Sequence, residues 1–260
     1  MTAAARPRPA PLVATSLALH AAAVPAAALA PRFWPWIVGT LVTDHLAILG
    51  GGLAPRSALL GPNVVRSSAA AAMNGVVLTF DDGPDPAVTP KILDRLDAAG
   101  AKATFFVIGE RARRFGELAA EIARRGHRLE NHTEHHRGGF YFHRPATLRR
   151  EIDACQEAVV RACGRAPVFF RAPAGIRSPL VGSALARSGL TLVSWTRRGF
   201  DTVDRRPERV AARLLRDLAA GDILVLHDTA AAPAVLETLP RLLDRIGGAG
   251  LRPVPLPDPS

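Results

Sequence analysis

Two adjacent carboxylates, Asp81 and Asp82, end an unbroken apolar run, Val76-Val77-Leu78-Thr79-Phe80, and Gly83-Pro84 turns the chain behind them. Like charges side by side at the end of a buried strand need compensation from a divalent metal, a cationic partner or a proton on one of them. A surface turn of Asp-Asp-Gly-Pro accounts for the same residues without chemistry. Farther on, His132 and His136 have the spacing that puts two side chains on one face of a helical turn. With Asp82 they make a set of two imidazoles and one carboxylate, the layout of a hydrolytic zinc centre with positions left open. The competing reading is a histidine-rich surface loop, since His127, His132, His135, His136 and His143 are five of the chain's eight histidines.

The elements that must position these groups repeat regularly. Apolar strands are predicted at Gly75–Phe80, Ala103–Ile108, Arg128–Asn131, Val168–Arg171, Leu190–Trp195, Asp222–His227 and Leu251–Leu256. Helical patterns separate them: Thr89–Ala99 with proline at its first position, Arg113–Arg125, Ala146–Cys163, Pro179–Ser188, Pro207–Ala220 and Ala232–Ile246. Strands joined by helices of this length are parallel, and strands without alternation suit a sheet covered on both faces. A closed or distorted barrel and an open doubly wound sheet both fit. In either, the C-terminal strand ends form one rim. Asp81 and Asp82, Asn131 and His132, Arg171, Asp201 and Asp204, and His227 all fall there, which favours one shared site over scattered loops.

The 260 residues allow one large domain plus an appendage. The net charge of +10 is almost all arginine, Lys91 and Lys102 being the only lysines. It reads as a solvated face or as affinity for anionic headgroups or phosphate; no nucleic-acid module accompanies it. Cys155 and Cys163, eight apart in one helix, lie about 12 Å apart along its axis, too far for a disulfide.

Residues 1–60 are apolar, with runs at 11–30 and 33–54 close to the ~20 residues that span a bilayer. A helical hairpin with Trp34 and Trp36 at an interface, a signal peptide with Arg6 and Arg8 as its basic start, and a pair of buried soluble helices compete. The hairpin puts the protein on a bacterial inner membrane with its catalytic domain facing the cytoplasm. Residues 61–74 read as a linker, 75–256 as the catalytic domain and 257–260 as a tail.

From Gly75 to about Leu256 the chain resembles the polysaccharide deacetylase family, carbohydrate esterase family 4, also called the NodB homology domain. The resemblance rests on Thr79-Phe80-Asp81-Asp82-Gly83, Asn131-His132-Thr133-Glu134-His135-His136, Arg171-Ala172-Pro173-Ala174-Gly175, Asp201-Thr202-Val203-Asp204 and Leu224-Val225-Leu226-His227, in the family's order. It implies a distorted (β/α)7 barrel, here preceded by the apolar helices. It also implies a divalent metal, most often Zn2+, on Asp82, His132 and His136. Asp81 would be the general base, Arg171 its partner and His227 the general acid, with Asp201, or else Asp204, steadying His227. The Ala174 amide would be an oxyanion donor, and the substrate an N-acylated amino sugar. A binding protein without turnover and a deacylase of non-sugar amides are the rival functions. The chain departs from the pattern at Ala174, where an aromatic is usual, at Arg205, where a tryptophan often stands, and at Glu130, expected to add a carboxylate near the metal.

Overall fold

The computed structural model describes residues 10–259. It opens with two apolar helices, α1 (Pro11–Leu29) and α2 (Trp34–Leu53), linked by a short turn and laid against each other. Arg6 and Arg8 lie outside the described residues. The hairpin is inside out for a soluble pair. Leu17, Val24, Leu29, Val42, Leu46 and Leu49 face outward, while Ser16 and Asp44 are buried between the helices. The Ser16 hydroxyl donates to Asp44 Oδ2 at 2.6 Å, and the rings of His20 and His45 meet edge to face with centres 5.0 Å apart. These are therefore not helices buried in a soluble core.

The stretch expected as a linker is fitted to the domain. Asn63 donates to the carbonyls of Pro55 and Ser57, Val64 bridges to Val193, and Arg66 pairs with Asp222 at 2.7 Å. Ser67 then caps the short helix α3 (Ser68–Ala72).

Then come β1 (Gly75–Asp81), α4 (Thr89–Ala98), β2 (Thr104–Val107), α5 (Gly109–Arg114), α6 (Gly116–Arg124), β3 (Arg128–Asn131) and α7 (Pro145–Cys163). After them follow β4 (Phe169–Phe170), α8 (Val181–Arg187), β5 (Thr191–Leu192), β6 (Arg197–Arg198), α9 (Pro207–Leu215), β7 (Ile223–His227), α10 (Val235–Gly248) and β8 (Arg252–Val254). All ladders are parallel, in the order β5-β4-β3-β2-β1-β7-β6, with β8 beside the start of β1. The strands expected at Val168–Arg171 and Leu251–Leu256 are shorter, and the one at Leu190–Trp195 differs most. Residues 191–198 pair with β4 at their start and with β7 at their end, so one extended segment joins both edges of the sheet and closes the distorted barrel. The single helix expected at Arg113–Arg125 breaks at Phe115, whose φ of −118° and ψ of 48° are not helical.

The two-residue period of β1 sorts its side chains. Leu78 and Phe80 join Phe105, Leu224 and Leu226 under the stripes of α4, α9 and α10, while Val77 packs with Phe106, Trp195 and Val225 inside the barrel. Asp81, four positions from Val77, shares its inward side. Both cysteines are free, Cys155 buried with its thiol pushed up to about 12 by burial.

The hairpin docks through Gly52. Its carbonyl accepts the Arg177 amide at 3.0 Å, and a Cβ there would fall 2.5 Å from both the Arg177 carbonyl oxygen and Tyr141 Cε2. A backbone oxygen cannot swing aside. In the full-length chain Gly52→Val should lift the hairpin from the domain, seen as faster proteolysis within residues 54–63 than in wild type; unchanged cleavage would refute that docking.

Candidate active site

Asp81 and His227 are register partners at the ends of β1 and β7, so the sheet sets these two side by side. The next residue, Asp82, has φ = 76°, a left-handed conformation that costs a non-glycine residue energy and turns its carboxylate out of the strand line. Asp82 Oδ1 lies 3.4 Å from His132 Nε2 and 3.3 Å from His136 Nε2. One ligand atom from each of the three falls within 4.8 Å of the others.

The two histidines do not share a helical turn, contrary to the reading of their spacing. Residues 132–136 form an irregular loop with Thr133 at φ = 67° and His136 at φ = 50°. Side chains hold it: Asn131 Oδ1 accepts the Thr133 amide at 2.9 Å, Thr133 Oγ1 accepts the His136 amide at 3.1 Å, and Glu151 accepts from both the amide and ring of His135. Asn131 thus shapes the loop, its own amide donating to Ile152 and Gln156. His132 Nδ1 donates to the Arg171 carbonyl at 2.8 Å, leaving Nε2 as its lone-pair atom.

These residues fit a divalent metal. Asp82 Oδ1 is buried without a hydrogen-bond partner among the described residues, as befits an atom that ligates an ion. Two imidazoles and a carboxylate are the donor set that zinc accepts. Burial pushes the Asp82 carboxyl up, but His132, His136 and His227 outweigh it and hold it well below the usual carboxylate range. Burial and neighbouring His132 push the His136 imidazole down, towards the neutral form that ligates.

Arg171 is fully buried and almost wholly engaged. Nη1 donates to Asp81 Oδ1 at 2.6 Å and Thr79 Oγ1 at 2.7 Å, Nη2 to the Ser194 carbonyl at 2.9 Å, and the group lies 4.1 Å over the Phe106 ring. Asp201, not Asp204, reaches His227. Its Oδ1 accepts the ring Nδ1–H and its Oδ2 the backbone amide, each at 2.8 Å. Asp204 is taken up by Arg206, Arg209 and Arg213. Glu130 does not add a carboxylate to the centre either. It pairs with Arg128 and accepts the amides of Val168 and Phe169 at 2.9 and 2.8 Å, tying β4 to β3.

Asp81, Asp82, His132, His136 and His227 open on one cavity of about 310 Å³, which Ala174 also lines, while Arg171 and Asp201 support it from behind. Ala174, at φ = 53°, leaves the wall beside it bare. Arg205 lies instead on a neighbouring open cavity of about 590 Å³. A cavity of about 650 Å³ between the start of α1 and α8 contains none of the reactive groups. Sequence reasoning passed over Trp195 and Arg198, which line the catalytic cavity; their place on the segment leading to Asp201 was the available signal.

The polysaccharide deacetylase family model matches residues 70–193. The chain is 36% identical to a chitooligosaccharide deacetylase of a Bradyrhizobium species, over 59% of this chain and 70% of that one. It is 32% identical to a peptidoglycan-N-acetylglucosamine deacetylase of Bacillus cereus, over 70% of this chain and 66% of the relative's length. Among solved structures, a peptidoglycan N-acetylglucosamine deacetylase superposes with a TM-score of 0.70 at 29% identity, covering 75% of this chain and 91% of that one. A family 4 carbohydrate esterase from Streptomyces lividans, in complex with acetate, gives 0.65 at 30% identity over 69% and 91%.

Burial pushes the His227 imidazole down, but Asp201, then Asp81 and Asp82, outweigh it and raise its pKa. The protonated ring therefore persists to higher pH than a free imidazole and is lost as pH rises through the raised value. Asp201→Asn should move the basic limb of the kcat/KM profile to lower pH; a limb that stays put would assign it to another group.

Proposed function

Because the chain belongs to the polysaccharide deacetylase family, hydrolases of carbon–nitrogen bonds other than peptide bonds, we propose that it removes an N-acyl group, acetyl first, from an amino sugar. Asp82, His132 and His136 would hold a divalent metal, Zn2+ by donor type. The observation that carries the reading is the partnerless Asp82 Oδ1, facing two imidazoles beside an arginine-paired Asp81 and an aspartate-paired His227.

When bound, the ion supplies Lewis acidity towards water and the acyl carbonyl. The protein supplies the proton traffic. Asp81 takes the proton of the attacking water. Its Oδ1 is engaged by Arg171, which leaves Oδ2 without a donor among the described residues as the receiving atom. His227, its Nδ1–H anchored on Asp201, delivers a proton from Nε2 to the departing nitrogen, without which an amine is a poor leaving group. The Ala174 amide is the oxyanion donor in this scheme.

The hairpin acts as a membrane anchor in the same reading. Its apolar side chains point outward, its one buried acid is paired inside, and Trp34 and Trp36 are exposed at the turn. With arginines beyond both ends, the domain faces the cytoplasm of a bacterial inner membrane, where a lipid-linked or small soluble saccharide is the accessible substrate.

The full-length chain in detergent should release acetate from N-acetylglucosamine oligomers, stop on chelation and resume with added zinc. Asp81→Asn should slow release by about 10²–10⁴-fold, the usual worth of a general base. Release indifferent to chelator, or to the substitution in a folded protein, would sink the mechanism.

A further inference from the structure

Most arginines around the catalytic rim are spent. Arg171 is paired with Asp81, Arg197 with Asp222, and Arg206, Arg209 and Arg213 share Asp204. Arg198 is not paired, and unlike Arg137 and Arg205, which also make no ion pair among the described residues, it belongs to the wall of the catalytic cavity. Its Nε is buried without a hydrogen-bond partner among the described residues.

This guanidinium is nevertheless held in place. Its Cζ lies 5.3 Å from the centre of the Trp195 ring and 5.2 Å from that of Phe200. On β6 it is the register partner of Val225, two residues before His227 on β7. Phe200 has φ = 60°, an outlier for a bulky side chain, and its ring stays exposed. Strain in a residue whose ring gains little burial points to a use for the position it enforces. Aromatic contact covers the face of a guanidinium and leaves its in-plane fork of donors free, the geometry that matches a carboxylate or phosphate.

We propose that Arg198 is an oxyanion-binding residue of the substrate site and that the saccharide turned over carries an anionic group, a carboxylate or a phosphate, near its N-acyl sugar. This rests on the hydrolase reading above and deepens it. The acyl transfer is unchanged; Arg198 selects which sugar enters.

The full-length protein would be compared on methyl N-acetylglucosaminide, N-acetylmuramic acid and N-acetylglucosamine 1-phosphate: neutral, carboxylate-bearing and phosphate-bearing. Wild type should favour at least one anion over the neutral glycoside in kcat/KM, mainly through KM. Arg198→Met should cut that ratio by about 10–100-fold, the range of a charge-assisted hydrogen bond. Arg198→Lys, which keeps the charge but loses the fork, should restore part of it and guards against a Met variant that fails to fold. Whichever anion loses its advantage identifies the source. No anion preference in wild type, or a ratio unmoved by either variant, overturns the proposal even when acetate is released. Arg198-dependent binding of an anion, read by calorimetry, with no acetate released from any of the three or from N-acetylglucosamine oligomers would keep the subsite and overturn the hydrolase reading.

Discussion

The rim hangs on one buried charge. Arg171 directly follows β4 with its guanidinium under the barrel mouth, and its donors reach Thr79 and Asp81 on β1 and the carbonyl of Ser194 on the closing segment. Its own carbonyl orients His132. A single residue therefore aligns the proposed base and a proposed metal ligand and ties together three segments of the sheet. Burial pushes this guanidinium below its ordinary pKa and the Asp81 charge opposes that. Taking away one partner of such a pair costs about 3–5 kcal/mol, because the other charge is left buried and uncompensated. The pair is better understood as a constraint on geometry than as a gain in stability.

Much of this was readable from residue types, because strand direction and alternation do the placing. A strand closing on Asp81 puts that side chain inside the barrel, and parallel strands bring Asp81, Arg171 and His227 to one end. What could not be read depended on contacts distant in sequence. Nothing local says that residues 191–198 change partner midway, nor that Glu130 turns to the amides of Val168 and Phe169. The spacing of His132 and His136 suggested a helical turn. Their convergence instead uses two left-handed residues, held by Asn131 and Glu151. Asp201 and Asp204 look alike as sequence; three arginines on or beside α9 claim the second.

The apolar hairpin and the stretch after it belong to the architecture of the site as much as to any anchor. Ser194 Oγ donates to the Pro55 carbonyl, and Arg177 to the carbonyl of Ser57. Val64 lies along the closing segment, its amide donating to Leu192 and its carbonyl accepting from Ser194, each at 2.9 Å. That segment pairs with β4 and β7 over only a few residues, so its open edge would be the weak point of the barrel. Residues 55–66 cover it from outside, and Gly175 packs against Pro55 and Trp195 so closely that no side chain fits there.

That bracing bears on how the chain works without the usual aromatic at position 174. Removing a ring from the wall should leave a saccharide with less to stack on, and Ala174 does leave that side open. The aromatic group in this wall is instead Trp195 of the closing segment, buried against the brace, and Phe200, held in a strained conformation just beyond that segment, lies against Arg198. Between them lies a charge, that of Arg198, that no acid among the described residues answers. Carrying an unanswered guanidinium in a cavity is costly, and a neutral glycan gains little from it that a third ring would not give. A ligand with an oxyanion turns the same group from a cost into its strongest contact. Exchanging a ring for a braced cation therefore shifts recognition from flat sugar faces towards charge.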